Sequence, residues 1–103
     1  MYLTMNRFKV RPEQAQAFEE LWATRDSHLK TVPGFRSFHL LKGSEGEGHV
    51  LYASHTVWDS EAAFLDWTRS EAFRAAHKGA GDNKHMYDGA PALEVFESVQ
   101  ELV

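Results

Sequence analysis

Residues 2–10 alternate in two sets, with Tyr2, Thr4, Asn6, Phe8 and Val10 in one and Leu3, Met5, Arg7 and Lys9 in the other. A period of two over this length predicts a β-strand. Pro12 sits where a first helical turn tolerates it. Ala15, Phe18, Leu21, Trp22, Arg25 and Leu29 then recur at helical spacing, predicting a helix over about 12–30. Pro33-Gly34 ends that helix and turns the chain. Phe35 to Lys42 and Gly48 to Trp58 predict two strands, joined by the polar, glycine-rich loop Gly43-Ser44-Glu45-Gly46-Glu47. Asp59-Ser60 supplies capping oxygens for a second helix from about Glu61. The run Gly79 to Pro91 has no apolar period and predicts a long loop, after which Ala92 to Val99 alternates again as a fourth strand.

The order βαββαβ predicts an α+β fold, a ferredoxin-like sandwich whose four-stranded antiparallel sheet carries both helices on one face. No linker or repeat divides the chain, so residues 1–103 read as a single domain. Two helices cover only one face, yet the strands place apolar residues on both. Leu3 and Met5 oppose Phe8 and Val10, Phe38 and Leu40 oppose Phe35 and Leu41, and Leu93, Val95 and Val99 oppose Ala92 and Phe96. An uncovered apolar face is a partner site. The expectation is a homodimer in which two such faces pack into a shared α+β barrel.

Composition narrows the chemistry. The chain has no cysteine, which excludes disulfides, iron–sulfur ligation and thiol nucleophiles. A formal net charge of −4, without a Lys/Arg cluster, argues against nucleic acid. Neither a signal peptide nor a membrane span is legible, so a cytoplasmic protein is expected.

Two features are candidates for a site. Asn6 is a poor strand former on the same face as Phe8 and Val10. Either neighbouring backbone satisfies its amide, or the amide is a polar donor placed in an otherwise apolar pocket. The second feature is the segment Phe64 to Gly79. Phe64, Trp67 and Phe73 suit the core stripe of one amphipathic helix, but Ser70 followed by Glu71 signals a new helix start. His77 then ends a short helix, four residues after Phe73 and two before a glycine. On one unbroken helix Trp67 and His77 would stand about 15 Å apart along the axis. A break at Ser70 would bring them closer.

Three patterns together carry a resemblance: Asn6-Arg7, Pro33-Gly34-Phe35, and the motif Trp58-x-Ser60-x-x-Ala63-Phe64-x-x-Trp67 followed by Ala76-His77-Lys78. The chain resembles the antibiotic-biosynthesis-monooxygenase domain and, more narrowly, the IsdG-type haem-degrading monooxygenases, the rhizobial members in particular. The resemblance implies that His77 is the axial ligand to haem iron. It places Asn6 on the distal side, offering a hydrogen bond to a ligand, and has Trp67 hold the macrocycle out of plane. Phe8, Trp22, Phe64 and Phe73 would supply the apolar walls that a flat tetrapyrrole suits. Imidazole is a standard haem ligand, and at a helix C-terminus the dipole favours its basicity.

The implied activity is oxidative opening of haem to a linear tetrapyrrole with release of iron. Haem is then both substrate and cofactor, consumed with O2. The chain has no flavin or nicotinamide motif, so the electrons come from an external donor or reductase. The loop after His77 would act as a lid, with Lys78, Lys84 or His85 meeting a propionate. His28, His39, His49, His55 and His85 show no helical ligand spacing and read as surface or locally satisfied residues. Three alternatives stay open. One is a cofactor-independent monooxygenase of aromatic phenols, another is a non-enzymatic haem carrier, and the third is a dimeric stress or signalling module with a plain apolar pocket.

Overall fold

A computed structural model describes residues 1–25, 28–46, 48–76 and 84–102. Four strands, β1 (Tyr2–Val10), β2 (Phe35–Gly46), β3 (His49–Trp58) and β4 (Ala92–Glu97), form one antiparallel sheet in the order β2-β3-β1-β4. The helices are α1 (Ala15–Thr24), α2 (Glu61–Thr68) and α3 (Glu71–Ala76). This is the ferredoxin-like arrangement that the order of elements predicts.

The register assigns the faces. Tyr2, Thr4, Asn6, Phe8 and Val10 of β1 lie level with Trp58, Thr56, Ser54, Tyr52 and Val50 of β3. This is the face beneath the helices. Its core is divided in two. Under α1, Phe8, Val10, Val50 and Tyr52 pack with Phe18 and Met86. Under α2, Tyr2 and Trp58 pack with Leu29, Phe64 and Trp67. Each helix covers one end of the same sheet face, and the middle is left to polar side chains: Thr4, Ser54 and Thr56 are all buried.

Several elements depart from expectation. The first helix stops at Thr24, not near residue 30, because Arg25 turns to extended backbone (φ −75°, ψ 130°). The Thr24 hydroxyl donates back to the carbonyls of Glu20 and Leu21 (3.0 and 3.3 Å), which competes with continuation of the helix. Leu29 is buried in a separate 3-10 turn, Leu29–Thr31, that follows His28 in the left-handed conformation. A register shift between Phe35 and Ser37 turns Phe35 to the helix side, opposite Trp58. It therefore does not oppose Phe38 across the sheet. Gly43 to Gly46, expected as loop, continue β2 past a second shift between Lys42 and Glu45, and Glu47 lies outside the described residues. β4 ends at Glu97, which leaves Val99 outside the sheet and fully exposed.

Part of the segment expected as loop, from residue 84 onward, lies within the described residues. Residues 84–86 make a helical turn that buries Met86. Tyr87 bridges to Val10, while the Arg11 and Asp88 amides donate to Met86 and Lys9 carbonyls at 2.8 and 2.7 Å. None of the described helices is long and apolar enough to cross a membrane.

Candidate active site

The gap between the two half-cores is a cavity of about 190 Å³. Its sheet floor is Thr4, Asn6, Ser54, Thr56 and Leu93, and its walls are Trp22, Arg25, Leu29, Phe38, Phe64, Trp67, Thr68 and Phe73.

The floor is polar and in part self-satisfied. Thr4 Oγ1 accepts from the buried Trp58 Nε1 at 3.2 Å, and Ser54 Oγ accepts from the Asn6 backbone amide at 3.3 Å. The Asn6 side-chain amide has no hydrogen-bond partner among the described residues. Neighbouring backbone therefore does not satisfy it, and its hydrogen-bonding capacity is open to the cavity.

The walls come from sequence-local devices. Ser60 caps α2, accepting from the Ala63 amide at 3.2 Å, and so places Phe64 and Trp67 on one side of the helix. The expected break is present. Ser70 separates α2 from α3, donating its hydroxyl to the Trp67 carbonyl (2.6 Å) and accepting from the Phe73 amide (3.1 Å). One hydroxyl thus closes the first helix and caps the next. The corner brings Trp67 and Phe73 edge to face, ring centres 4.8 Å apart, and Trp67 rests on Trp58 at 5.4 Å. Across the cavity Trp22 stacks on Phe38, 5.7 Å apart and 12° from parallel.

Asn6, Trp22, Phe64, Trp67 and Phe73 therefore meet around one space. Phe8 does not. It shares their sheet face but sits two residues further along β1, inside the half-core under α1, against Phe18 and Tyr87. His77 and Lys78 lie outside the described residues; Lys84 and His85 are exposed and absent from the cavity lining.

Arg25 is the wall residue that helical spacing concealed. Counted as a turn of α1, it instead leaves the helix and lays its guanidinium over the Trp22 ring at 4.8 Å. Burial holds its pKa below the ordinary arginine value. A cation that has lost part of its hydration beside an aromatic wall is suited to an anionic group on an otherwise apolar ligand.

Residues 1–79 match the family model described as antibiotic biosynthesis monooxygenase. The chain belongs to this family. A heme oxygenase (staphylobilin-producing) of Staphylococcus aureus is 32% identical over 77 residues, which is 75% of this chain and 71% of that protein. The heme-degrader MhuD of Mycobacterium tuberculosis, solved with two hemes in its active site, superposes with a TM-score of 0.74. It is 25% identical, with all of both chains covered. The cofactor-independent oxygenase SnoaB of Streptomyces nogalater, as its N63A mutant, gives a TM-score of 0.71 at 23% identity over 98% of this chain and 95% of that one. That last likeness speaks to the fold alone.

Proposed function

We propose that this family member is a haem-degrading monooxygenase, opening the macrocycle to a linear tetrapyrrole with release of iron. The observation that carries the proposal is the meeting of Asn6, with its unengaged carboxamide, and the aromatic pair Trp67 and Phe73 in one cavity. Relatives that degrade haem support it. The residues fit the substrate's chemistry: aromatic faces for a flat macrocycle, Arg25 for a carboxylate, and a buried Trp22 Nε1 that finds no partner among the described residues. The cavity is smaller than the ~300–1,000 Å³ of common ligand sites, so a whole tetrapyrrole needs more room than these walls enclose.

Bound haem would supply the iron and the conjugated ring that is oxidised, with O2 and electrons delivered from outside by a separate donor or reductase. The protein's part is positioning. Asn6 offers a hydrogen bond from the floor, Trp67 and Phe73 press on one side, and Arg25 holds an acidic edge. From the family resemblance, His77 would hold the haem iron. Each chain would work as half of a homodimer, because Leu3, Met5, Leu51 and Val57 form an apolar stripe on the sheet face opposite the helices, flanked by the exposed Leu41 and Phe96.

The test is titration with ferric haem followed by single turnover under ascorbate and catalase. A Soret shift at about one haem per chain, lost in His77→Ala, followed by bleaching of the band, is the expected result. Absence of stoichiometric binding would overturn the proposal in favour of a haem-independent oxygenase. Binding without bleaching would leave a haem carrier.

A further inference from the structure

The sheet face away from the helices carries a pair of imidazoles that the cavity does not use. His39 on β2 and His55 on β3 are direct register partners, with ring centres 6.1 Å apart and planes at 62°. Strand spacing hides this pair in the sequence, where the two residues are far apart. Both Cα atoms are fixed by the ladder on either side, Ser37 opposite Val57 and Leu41 opposite Ala53. We propose that His39 and His55 form a binding site for a divalent transition-metal ion of the zinc, nickel and copper class, separate from the cavity.

Three observations carry it. The first is distance. Imidazole nitrogen bonds zinc at about 2.0–2.1 Å, which sets each ring centre about 3.2 Å from a shared ion. Two such rings stand about 5.2 Å apart at the tetrahedral angle and about 6.4 Å apart at the linear limit. The observed 6.1 Å falls inside that span, so the ring spacing suits one ion once a nitrogen of each imidazole is turned toward it.

The second is the ligand set. On this face the pair is bordered by Ser37, Leu41, Ala53 and Val57, with the Met5 thioether level with His55 on β1. The next position along that row is Glu94, one strand further, and it is already paired with Arg7. Neutral imidazoles without a carboxylate favour zinc, copper and nickel over magnesium or calcium.

The third is access. β2 is the outer strand of the sheet and His39 is exposed, so an ion reaches the pair from that edge, with His55 lying inside the apolar stripe proposed to meet a second copy. Among the described residues no group of three or more His, Asp or Glu is placed to hold a metal. Water or an external ligand therefore fills the remaining positions.

The experiment is calorimetric titration of the haem-free protein with Zn2+ and Ni2+, with Mg2+ as a control, alongside 15N spectra of the imidazole side chains. About one ion per chain is expected, with the His39 and His55 nitrogen signals moving together. His39→Ala and His55→Ala should each weaken binding at least tenfold, whereas His49→Ala should not. His55→Gln, closer in size, repeats the test with less disturbance of the half-buried position, and urea midpoints verify that each variant is folded. Undiminished binding in the double variant, equal binding of Mg2+, or loss of the ion in His77→Ala with His39 and His55 intact would each overturn the proposal. None of these outcomes depends on whether the protein degrades haem, because haem titration of the His39 and His55 variants reads the cavity separately.

Discussion

Ser70→Ala isolates the corner on which the cavity wall depends. The serine hydroxyl makes two bonds, one to the last turn of α2 and one to the first turn of α3. Loss of the cap costs about 1 kcal/mol. Loss of the second bond costs up to about 1 kcal/mol, and less if the Trp67 carbonyl is well served by the Ser70 amide, which donates to it at 2.9 Å. The sum is ~1–2 kcal/mol, or roughly a 5- to 30-fold shift in a local equilibrium. Because α3 has only six residues, with the Phe73 ring set against Trp67, that energy falls on the local opening of α3 more than on the sheet. Native-state hydrogen exchange reads it directly. The Phe73 amide should exchange roughly 5- to 30-fold faster, while amides in β1 and β3 change only with global stability. Haem affinity should fall, since Phe73 and Trp67 no longer hold their edge-to-face contact. Ser70→Asp, which restores an acceptor for the Phe73 amide but not a donor for the Trp67 carbonyl, should recover part of the protection. Unchanged exchange at Phe73 in Ser70→Ala would show that packing alone, not the hydroxyl, sets the corner.

Gly34→Ala should destabilise by more than about 1 kcal/mol in urea unfolding, because Gly34 has φ 84° and a Cβ there would collide with Ala63 Cβ. Burial, and then the hydrogen bond to Glu19, push the Tyr52 phenol from 10.0 up to about 12. A raised phenol pKa contributes stability that is complete below pH 10 and lost as pH rises towards 12. Since Glu19 is half exposed, screening reduces this to about 1 kcal/mol, and Tyr52→Phe should flatten that alkaline limb in pH-dependent denaturation. Leu51→Glu, on the inner strand β3 of the open sheet face, should reduce the mass seen by light scattering from two chains to one, with a folded circular dichroism spectrum retained. Asn6→Leu should leave the urea midpoint unchanged or raise it by up to about 1 kcal/mol of stability, while abolishing haem turnover in the single-turnover assay.

Much of the architecture was legible because it depends on periodicity. The alternation of β1 put Asn6 on the face of Phe8 and Val10, and Ser70 before Glu71 marked the break between α2 and α3. Alternation reports a side chain's face and not its depth along the strand, which is why Phe8 shared a face with Asn6 yet belonged to another half-core. A step of two residues moves a side chain about 6.6–6.8 Å, enough to carry it from the cavity to the space beneath α1. Register lies beyond periodicity altogether. The bulge that turned Phe35 inward and the pairing of His39 with His55 are decided by hydrogen bonding between strands. Arg25 was hidden for a third reason: its spacing suited α1, and only the backbone turn after Thr24 revealed it as a wall.

The polar belt across the middle of the helix-side sheet face has no rationale in stability. Apolar side chains at Thr4, Asn6, Ser54 and Thr56 would join the two half-cores into one and gain burial without the cost of sequestering hydroxyl and amide groups. Two of the four are nonetheless tied into bonds: Thr4 to Trp58, and Ser54 to the Asn6 backbone. Those bonds limit the penalty and fix the floor, and the Asn6 carboxamide is left open to the cavity. A strand that accepts a weak β-former, holds its backbone with a serine and leaves its side chain unengaged has placed a hydrogen-bonding group where folding alone has no use for it. The aromatic walls then follow the same logic. Trp22, Phe38, Trp67 and Phe73 face a gap that one more packed side chain would have filled, so the cavity is kept open between two cores that each close well without it.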